Sequence, residues 1–372
     1  MSWVFLCVVT ARVLVPLAIP RYPLPGILAA FFVDAVDQTV FQTFGGLPSD
    51  YEQYDKALDL YYQVIAYTSM MRNWSDPAAF AIGRFLWYFR LVGTVMFELS
   101  DAGWLLLIFP NTFEYFFMAY EVVRTRWDPT RMSRRALLLL AASIWIFVKL
   151  PQEWWIHVAK LDFTDQAEAH GWILPVVIGL VMIAGATLAA CWHRLPARDW
   201  SPTVAVDRHR PASVVAPPAP RSVLGIPLWS SLAEKIVLVG MISVVFARVL
   251  GARATPTQIV ISVVLFVSVN AAVSHVIYSR GHRWWTATAQ FATLAAINCS
   301  TVEVMVLLRS RIDAYADPFR AFFLVLLMSL LIALFDRYRA MRQARIDGAA
   351  SGQRSTEVLP HPFHRRRLPT GG

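Results

Sequence analysis

Residues 77–99 read PAAFAIGRFLWYFRLVGTVMFEL and follow directly on Asp76. A helix needs about 20 mainly apolar residues to cross a bilayer, and this stretch reaches that length with Arg84, Arg90 and Glu98 as its only charges. The Asp76-Pro77 pair marks its start. An Asp side chain accepts from the orphan N–H groups of a first turn, and proline supplies a helix-ready φ just inside it.

Similar runs recur on both sides. Spans of membrane length fall at 3–20, 26–44, 57–72, 77–99, 102–123, 135–150, 172–193, 230–250, 257–279, 284–308 and 318–336. Thr255-Pro256 and Asp317-Pro318 punctuate two further starts. The segment 57–72 is the weakest: it is short and carries Asp59, Gln63 and three tyrosines, so an interfacial helix is an alternative there. Composition agrees with the pattern. The 372 residues are 57% hydrophobic and 16% charged, whereas a soluble domain carries about 25% charge. The fold expected is all-α: a polytopic integral membrane protein of about eleven transmembrane helices, with ten to twelve as the range, in a bacterial cytoplasmic membrane. Residues 3–20 resemble a signal peptide, but Arg12 interrupts the apolar run and no small-residue cleavage site follows, so a retained first span is expected.

The net charge of +9 would suggest nucleic acid in a soluble protein; here it reports orientation. Counting alternate loops puts 22 Lys+Arg on one side and 5 on the other, which by the positive-inside rule gives N-terminus out and C-terminus in. Trp74, Trp127, Trp192, Trp229, Trp284 and Trp285 then fall at the inner interface, with Trp104, Trp154, Trp155 and Trp172 at the outer. Composition breaks once, at the proline-rich stretch 194–229, a cytoplasmic linker dividing a seven-span bundle (1–193) from a four-span bundle (230–338). Residues 339–372 read as a basic, disordered cytoplasmic tail.

Charges inside spans are expensive unless paired or hydrated, so they carry the functional reading. Asp34, Asp37, Gln38 and Gln42 form a stripe about 140° wide on the second span, which must face protein or water. Arg90, near the middle of the fourth span, is the economical partner for Asp34 or Asp37. Pro110 lies mid-span, followed by Asn111-Thr-Phe-Glu114, which has capping-box spacing. One reading is a broken helix whose fresh N-terminus presents N–H groups to an anionic solute. The other, slightly the heavier, is a proline kink with polar neighbours that satisfy freed backbone groups. Arg12, Asp59, Gln63 and Lys149 add to the embedded set, as do Arg84, Glu98 and Glu121.

Other clusters are weaker. Glu153, His157, Asp162, Asp165, Glu168 and His170 match no tight metal motif, so no metal site is expected. Asp50, Glu52 and Asp55 could serve as acid/base groups in lipid-linked transfer chemistry. In the second bundle, Arg248 and Glu303 could pair across neighbouring spans, Asn270 and Ser274 lie on one face of span nine with His275 toward its inner end, and Asn298 suits interhelical glue. No dinucleotide, P-loop, nucleophile-elbow or haem motif occurs, so no cofactor is expected.

The expectation leans to a transporter or flippase for a small or lipid-linked anionic solute, with Asp34, Asp37, Gln38, Arg90, Asn111 and Glu114 as the substrate-binding set. The alternatives are an integral membrane enzyme acting on a lipid or polyprenyl-phosphate, or a non-catalytic partner subunit. Membrane lipids are the expected partners, and nucleic acid is not.

Overall fold

The computed structural model describes residues 3–44, 51–100, 102–155, 169–191, 227–249 and 318–357, with residues 159, 197, 268–269, 292–293 and 295–300. Among these the chain is all-helical. The helices are α1 (Trp3–Leu14, extended by a 3-10 turn at Val15–Ala18), α2 (Pro23–Phe44), α3 (Tyr51–Asn73), α4 (Pro77–Ser100), α5 (Trp104–Ile108) and α6 (Thr112–Arg124). After these come α7 (Arg134–Ile144), α8 (Leu150–Glu153), α9 (Ile173–Cys191), α10 (Pro227–Val249) and α11 (Pro318–Glu357). A widened π-type turn at Trp145–Lys149 joins α7 to α8.

Among the described residues, three helical stretches are long and apolar enough to cross a membrane: Pro23–Phe41, Pro77–Ser100 and Arg134–Glu153. Their outward faces carry large apolar side chains, with Phe32 65%, Phe85 58% and Phe147 77% exposed. Water would penalise such a surface, and lipid does not. The start signal at α4 operates as its sequence implies: Asp76 Oδ1 accepts the Ala78 N–H at 2.8 Å.

The interior is organised around α3, the segment that reads as the weakest span. Ala57, Tyr61, Val64, Ile65, Tyr67 and Met70 are fully enclosed, and α1, α2, α4, α6, α10 and α11 all pack on this helix. Its polar groups find protein partners rather than headgroups. Tyr61 Oη donates to the Val13 carbonyl at 3.0 Å, Thr68 Oγ1 to Ile65 O at 2.9 Å, and Tyr67 Oη to Glu234 at 2.5 Å. An interfacial position is therefore replaced by a central one. Low hydropathy suits a helix that meets protein all round, and its 23 residues span about 35 Å.

Beside α3 lies an aromatic layer. Tyr67 stacks on Trp87 (5.7 Å between centroids), Trp87 meets Phe113 (5.5 Å), and Trp74 stacks on Phe117 (5.6 Å). Trp74 is thus enclosed by protein and does not face headgroups as the belt reading implies. Its indole N–H donates to Glu121 at 2.7 Å, which meets the polar requirement that headgroups would otherwise supply.

Three further expectations meet the structure here. The disordered tail from 339 is instead helical to Glu357, because its arginines are anchored: Arg339 pairs with Glu234 (3.0 Å), Arg342 lies 3.3 Å over the Phe80 ring, and Arg345 donates to the Trp74 carbonyl (3.3 Å). Asn298 does bridge helices, donating to Ser329 Oγ at 2.8 Å. Helices α10 and α11, on the far side of the proline-rich stretch, pack against α3, and α10 also against α4. The stretch 194–229 and the spans at 257–279 and 284–308 lie largely outside the described residues, as do Gln42 and Arg248 as side chains, Asp50, Glu52, His157, Asp162, Asp165, Glu168, Asn270, Ser274, His275 and Glu303.

Candidate functional site

Two polar groups meet between α1, α2, α3, α6 and α8. The first is centred on Arg12, whose guanidinium is enclosed in α1. It donates to Asp34 and Asp37 of α2 and to Asp55 and Asp59 of α3, the Asp37 contact being 2.5 Å. Local helix geometry explains the convergence. Asp34 and Asp37 are spaced i,i+3 and Asp55 and Asp59 i,i+4, so each helix presents two carboxylates on one face. Like charges at that spacing repel, and one guanidinium between the two helices answers both pairs at once. Asp37 is enclosed with Arg12, whereas Asp34, Asp55 and Asp59 keep 24%, 32% and 37% of their side chains accessible. The cluster therefore has a sealed side and an open side.

One oxygen from each of Asp34, Asp55 and Asp59 lies within 4.8 Å of the others, a spacing that hard cations bridge with carboxylates. Arg12 already supplies the positive charge at their centre.

The second group is built on a helix break. Hydrogen bonding of α5 stops at Ile108, with the Phe109 N–H donating back to Leu105 O at 2.9 Å. Pro110 has no N–H to continue the ladder. Asn111 adopts φ −75°, ψ 64°, and the Thr112 N–H closes on Pro110 O at 2.8 Å, the geometry of an inverse γ-turn. Helix α6 then starts afresh at Thr112, so the broken-helix reading describes Pro110 and the simple kink does not.

The capping box forms differently from its sequence pattern. The Asn111 side-chain amide donates to Glu114 Oε2 at 2.7 Å, and the Asn111 backbone N–H points to Glu153 Oε1 at 3.4 Å. Asn111 Oδ1 and Glu114 Oε1 are buried without a hydrogen-bond partner. Lys149, on the π-type turn, donates to Gln152 at 3.0 Å, lies 4.2 Å over the Tyr115 ring, and acts electrostatically on both Glu114 and Glu153. A π-type turn aims a side chain that a regular helix would place elsewhere, and such turns recur at functional positions.

Glu114 joins the two groups. It interacts with Asp59 on one side and Lys149 on the other, with Tyr62 alongside. A polar path thus runs from Arg12 through the aspartates and Glu114 to Lys149 and Glu153, inside helices that are otherwise apolar.

Of the six residues singled out in the sequence, Asp34, Asp37, Asn111 and Glu114 lie on this path. Arg90 does not pair with Asp34 or Asp37. It donates to the Phe109 carbonyl at 3.1 Å and thereby caps the acceptor that the break leaves free. Gly93, one turn further along α4, leaves room for Phe109; a Cβ there would collide with the Phe109 side chain. Gln38 is exposed. Arg12 is the partner that the sequence reading assigned to Arg90. Asp55, Asp59, Lys149, Glu153 and Tyr62 are the other additions, and the i,i+4 aspartates facing an i,i+3 pair were the available signal. No protein family, curated protein or solved structure matches the chain.

Proposed function

We propose that this chain is a multi-pass membrane transporter or flippase for a small or lipid-linked anionic solute, with the path from Arg12 to Glu153 as its route of entry. The observation that carries the reading is the continuity of that path: eight ionisable side chains and a helix break placed together among apolar helices. Burying such a set costs several kcal/mol per uncompensated charge, a cost hard to account for by packing alone. The anionic group of the solute binds at the α6 N-terminus, where the positive dipole end combines with Lys149. Glu153 takes the place of that anion at the Asn111 N–H, and the solute displaces it. The aromatic layer of Trp87, Phe113, Phe117 and Trp74 closes the way beyond, as alternating access requires of one side at a time.

The finer topology belongs to the same proposal: eleven spans, N-terminus out and C-terminus in, a cytoplasmic linker at 194–229 and residence in the bacterial cytoplasmic membrane. Its support is that Arg124, Arg345 and the carbonyls of Asn73 and Trp74, from three segments counted as cytoplasmic, meet at one end of the bundle. The test compares metabolites and lipids in a deletion strain complemented with wild type, Glu114→Gln or Arg90→Ala. Both variants should accumulate the solute on the donor side while still reaching the membrane. Unchanged solute and lipid distributions in both, with normal folding, would sink the proposal.

A second reading has one observation of its own. Asp55, read from sequence as a loop acid suited to acid/base work, lies on α3 and keeps an accessible carboxylate in the cluster. An enzyme acting on a lipid-linked phosphate would lose turnover in Asp55→Asn, and its substrate would build up without any change in sidedness. Wild-type lipid profiles in that variant would dispose of the enzyme reading.

A further inference from the structure

We propose that the end of the bundle remote from Arg12 holds the headgroup of an anionic phospholipid, at a site formed by Arg72, Arg84, Arg342 and Arg345. Arg72 lies 13 residues beyond Asp59 on α3, about 20 Å along the helix, so this site is separate from the polar path.

The charge count at this end is lopsided. Arg124 engages Glu121 with both oxygens at 2.7 and 2.8 Å, Lys235 pairs with Asp336 at 2.7 Å, and Arg339 pairs with Glu234 at 3.0 Å. Asp76 turns one oxygen to the Ala78 N–H at its own helix start, and Asp128 faces Arg131 at 3.7 Å. Those contacts occupy the acids, except Asp76 Oδ2, which is buried without a hydrogen-bond partner. Among the described residues, Arg72, Arg84, Arg342 and Arg345 have no carboxylate in direct contact.

Their neighbours are backbone carbonyls and rings. Arg72 donates to Pro20 O at 2.5 Å, and Arg345 reaches the carbonyls of Arg72 and Trp74. Arg342 lies over Phe80, four residues before Arg84 on the same face of α4. Burial, then Arg345 and Arg84, pull the Arg342 pKa down to about 10. The α3 C-terminus gains from cations, but it does not need four. A fold that gathers guanidiniums against their mutual repulsion is built for an anion that bridges them, and phosphate accepts from several arginines at once.

The surroundings select a lipid over a free phosphate. Arg84 and Arg345 are exposed, so the site is open. Below Arg84, helix α4 presents Phe85, Val92 and Met96 outward, and the adjoining α10 presents Ile236 and Val237. A ligand with an anionic head and a long apolar tail satisfies both features. Basic pockets between membrane helices bind anionic headgroups in this way.

The experiment titrates the detergent-solubilised full chain with fluorescent phosphatidylglycerol and, in parallel, with phosphatidylcholine carrying the same label. Phosphatidylglycerol should bind at least tenfold more tightly, and its affinity should fall with added salt. The Arg84→Gln/Arg342→Gln double variant should lose about fivefold per arginine, roughly thirtyfold in all. Equal affinity for the two lipids, or wild-type affinity in the variant, overturns the site. Should the variant fail to fold, the salt dependence of the wild-type protein decides, and a flat dependence overturns it as well. Inorganic phosphate at millimolar concentration should leave the bound lipid in place. Full displacement would transfer the site to a soluble phosphate and overturn the lipid assignment.

Discussion

Replacing Arg12 by glutamine removes the one positive charge at the centre of four carboxylates, and the structure sets the size of the effect. Asp37 has only 2% of its side chain accessible, so water cannot replace the charge that Arg12 sets against its carboxylate. Breaking a buried ion pair from one side costs about 3–5 kcal/mol. The other three aspartates retain 24–37% accessibility, so water answers much of their charge and each adds about 0–1 kcal/mol. Arg12→Gln should therefore destabilise the protein by about 3–8 kcal/mol, of which about 3–5 kcal/mol comes through Asp37. Asp37→Asn alone should cost much less, because Arg12 keeps three partners. In the double variant no buried charge is left unanswered, so the two effects should fail to add by about 2–3 kcal/mol. The assay is denaturant unfolding of all four proteins in one detergent, read as a double-mutant cycle. If Arg12→Gln falls within about 0.5 kcal/mol of wild type, the reasoning fails, since changes that small are those of ordinary surface substitutions. Strict additivity would also refute it, by showing that Arg12 and Asp37 do not act on each other.

Three other expectations are more local. Gly93→Ala drives a Cβ into Phe109 and should destabilise by about 1–3 kcal/mol, seen as a lower melting temperature in detergent. Trp74→Phe keeps the ring stack on Phe117 but removes a 2.7 Å donor to the Glu121 carboxylate, and should cost about 1.5–3 kcal/mol in the same measurement. Arg345→Gln frees the helical extension of α11 from the α3 carbonyls, so amides at 339–350 should exchange hydrogen faster while those of α3 at 60–68 remain protected.

Much of the architecture was legible because lipid imposes a simple rule on sequence. A long apolar run identified α2, an apolar run with a proline-marked start identified α4, and Pro110 marked the break between α5 and α6. The rule fails for α3. A helix enclosed by other helices has no lipid to match, so its tyrosines and aspartates read as weakness when they are in fact the groups that hold the bundle. Trp74 misleads for the same reason: a tryptophan near a helix end suits the interface, unless a buried carboxylate such as Glu121 meets its N–H.

The candidate site divides along the same line. Spacing within one helix is fixed by its period, so the Asp34–Asp37 pair and the Asn111–Glu114 pair could be found by counting. Which cation answers them depends on how α1, α2 and α3 pack, and no periodicity contains that. Arg12 and Arg90 both looked like isolated buried charges; only tertiary structure gives the first to the aspartates and the second to the Phe109 carbonyl. The sequence by itself determined an all-helical chain rich in membrane-length segments, because hydropathy and helix ends are local properties. Tertiary structure alone decided that α3 is central, that its aspartates share Arg12, and that the basic end of α11 folds back onto α3 and α4, because partners distant in sequence are chosen by packing and by the cost of leaving a charge unanswered.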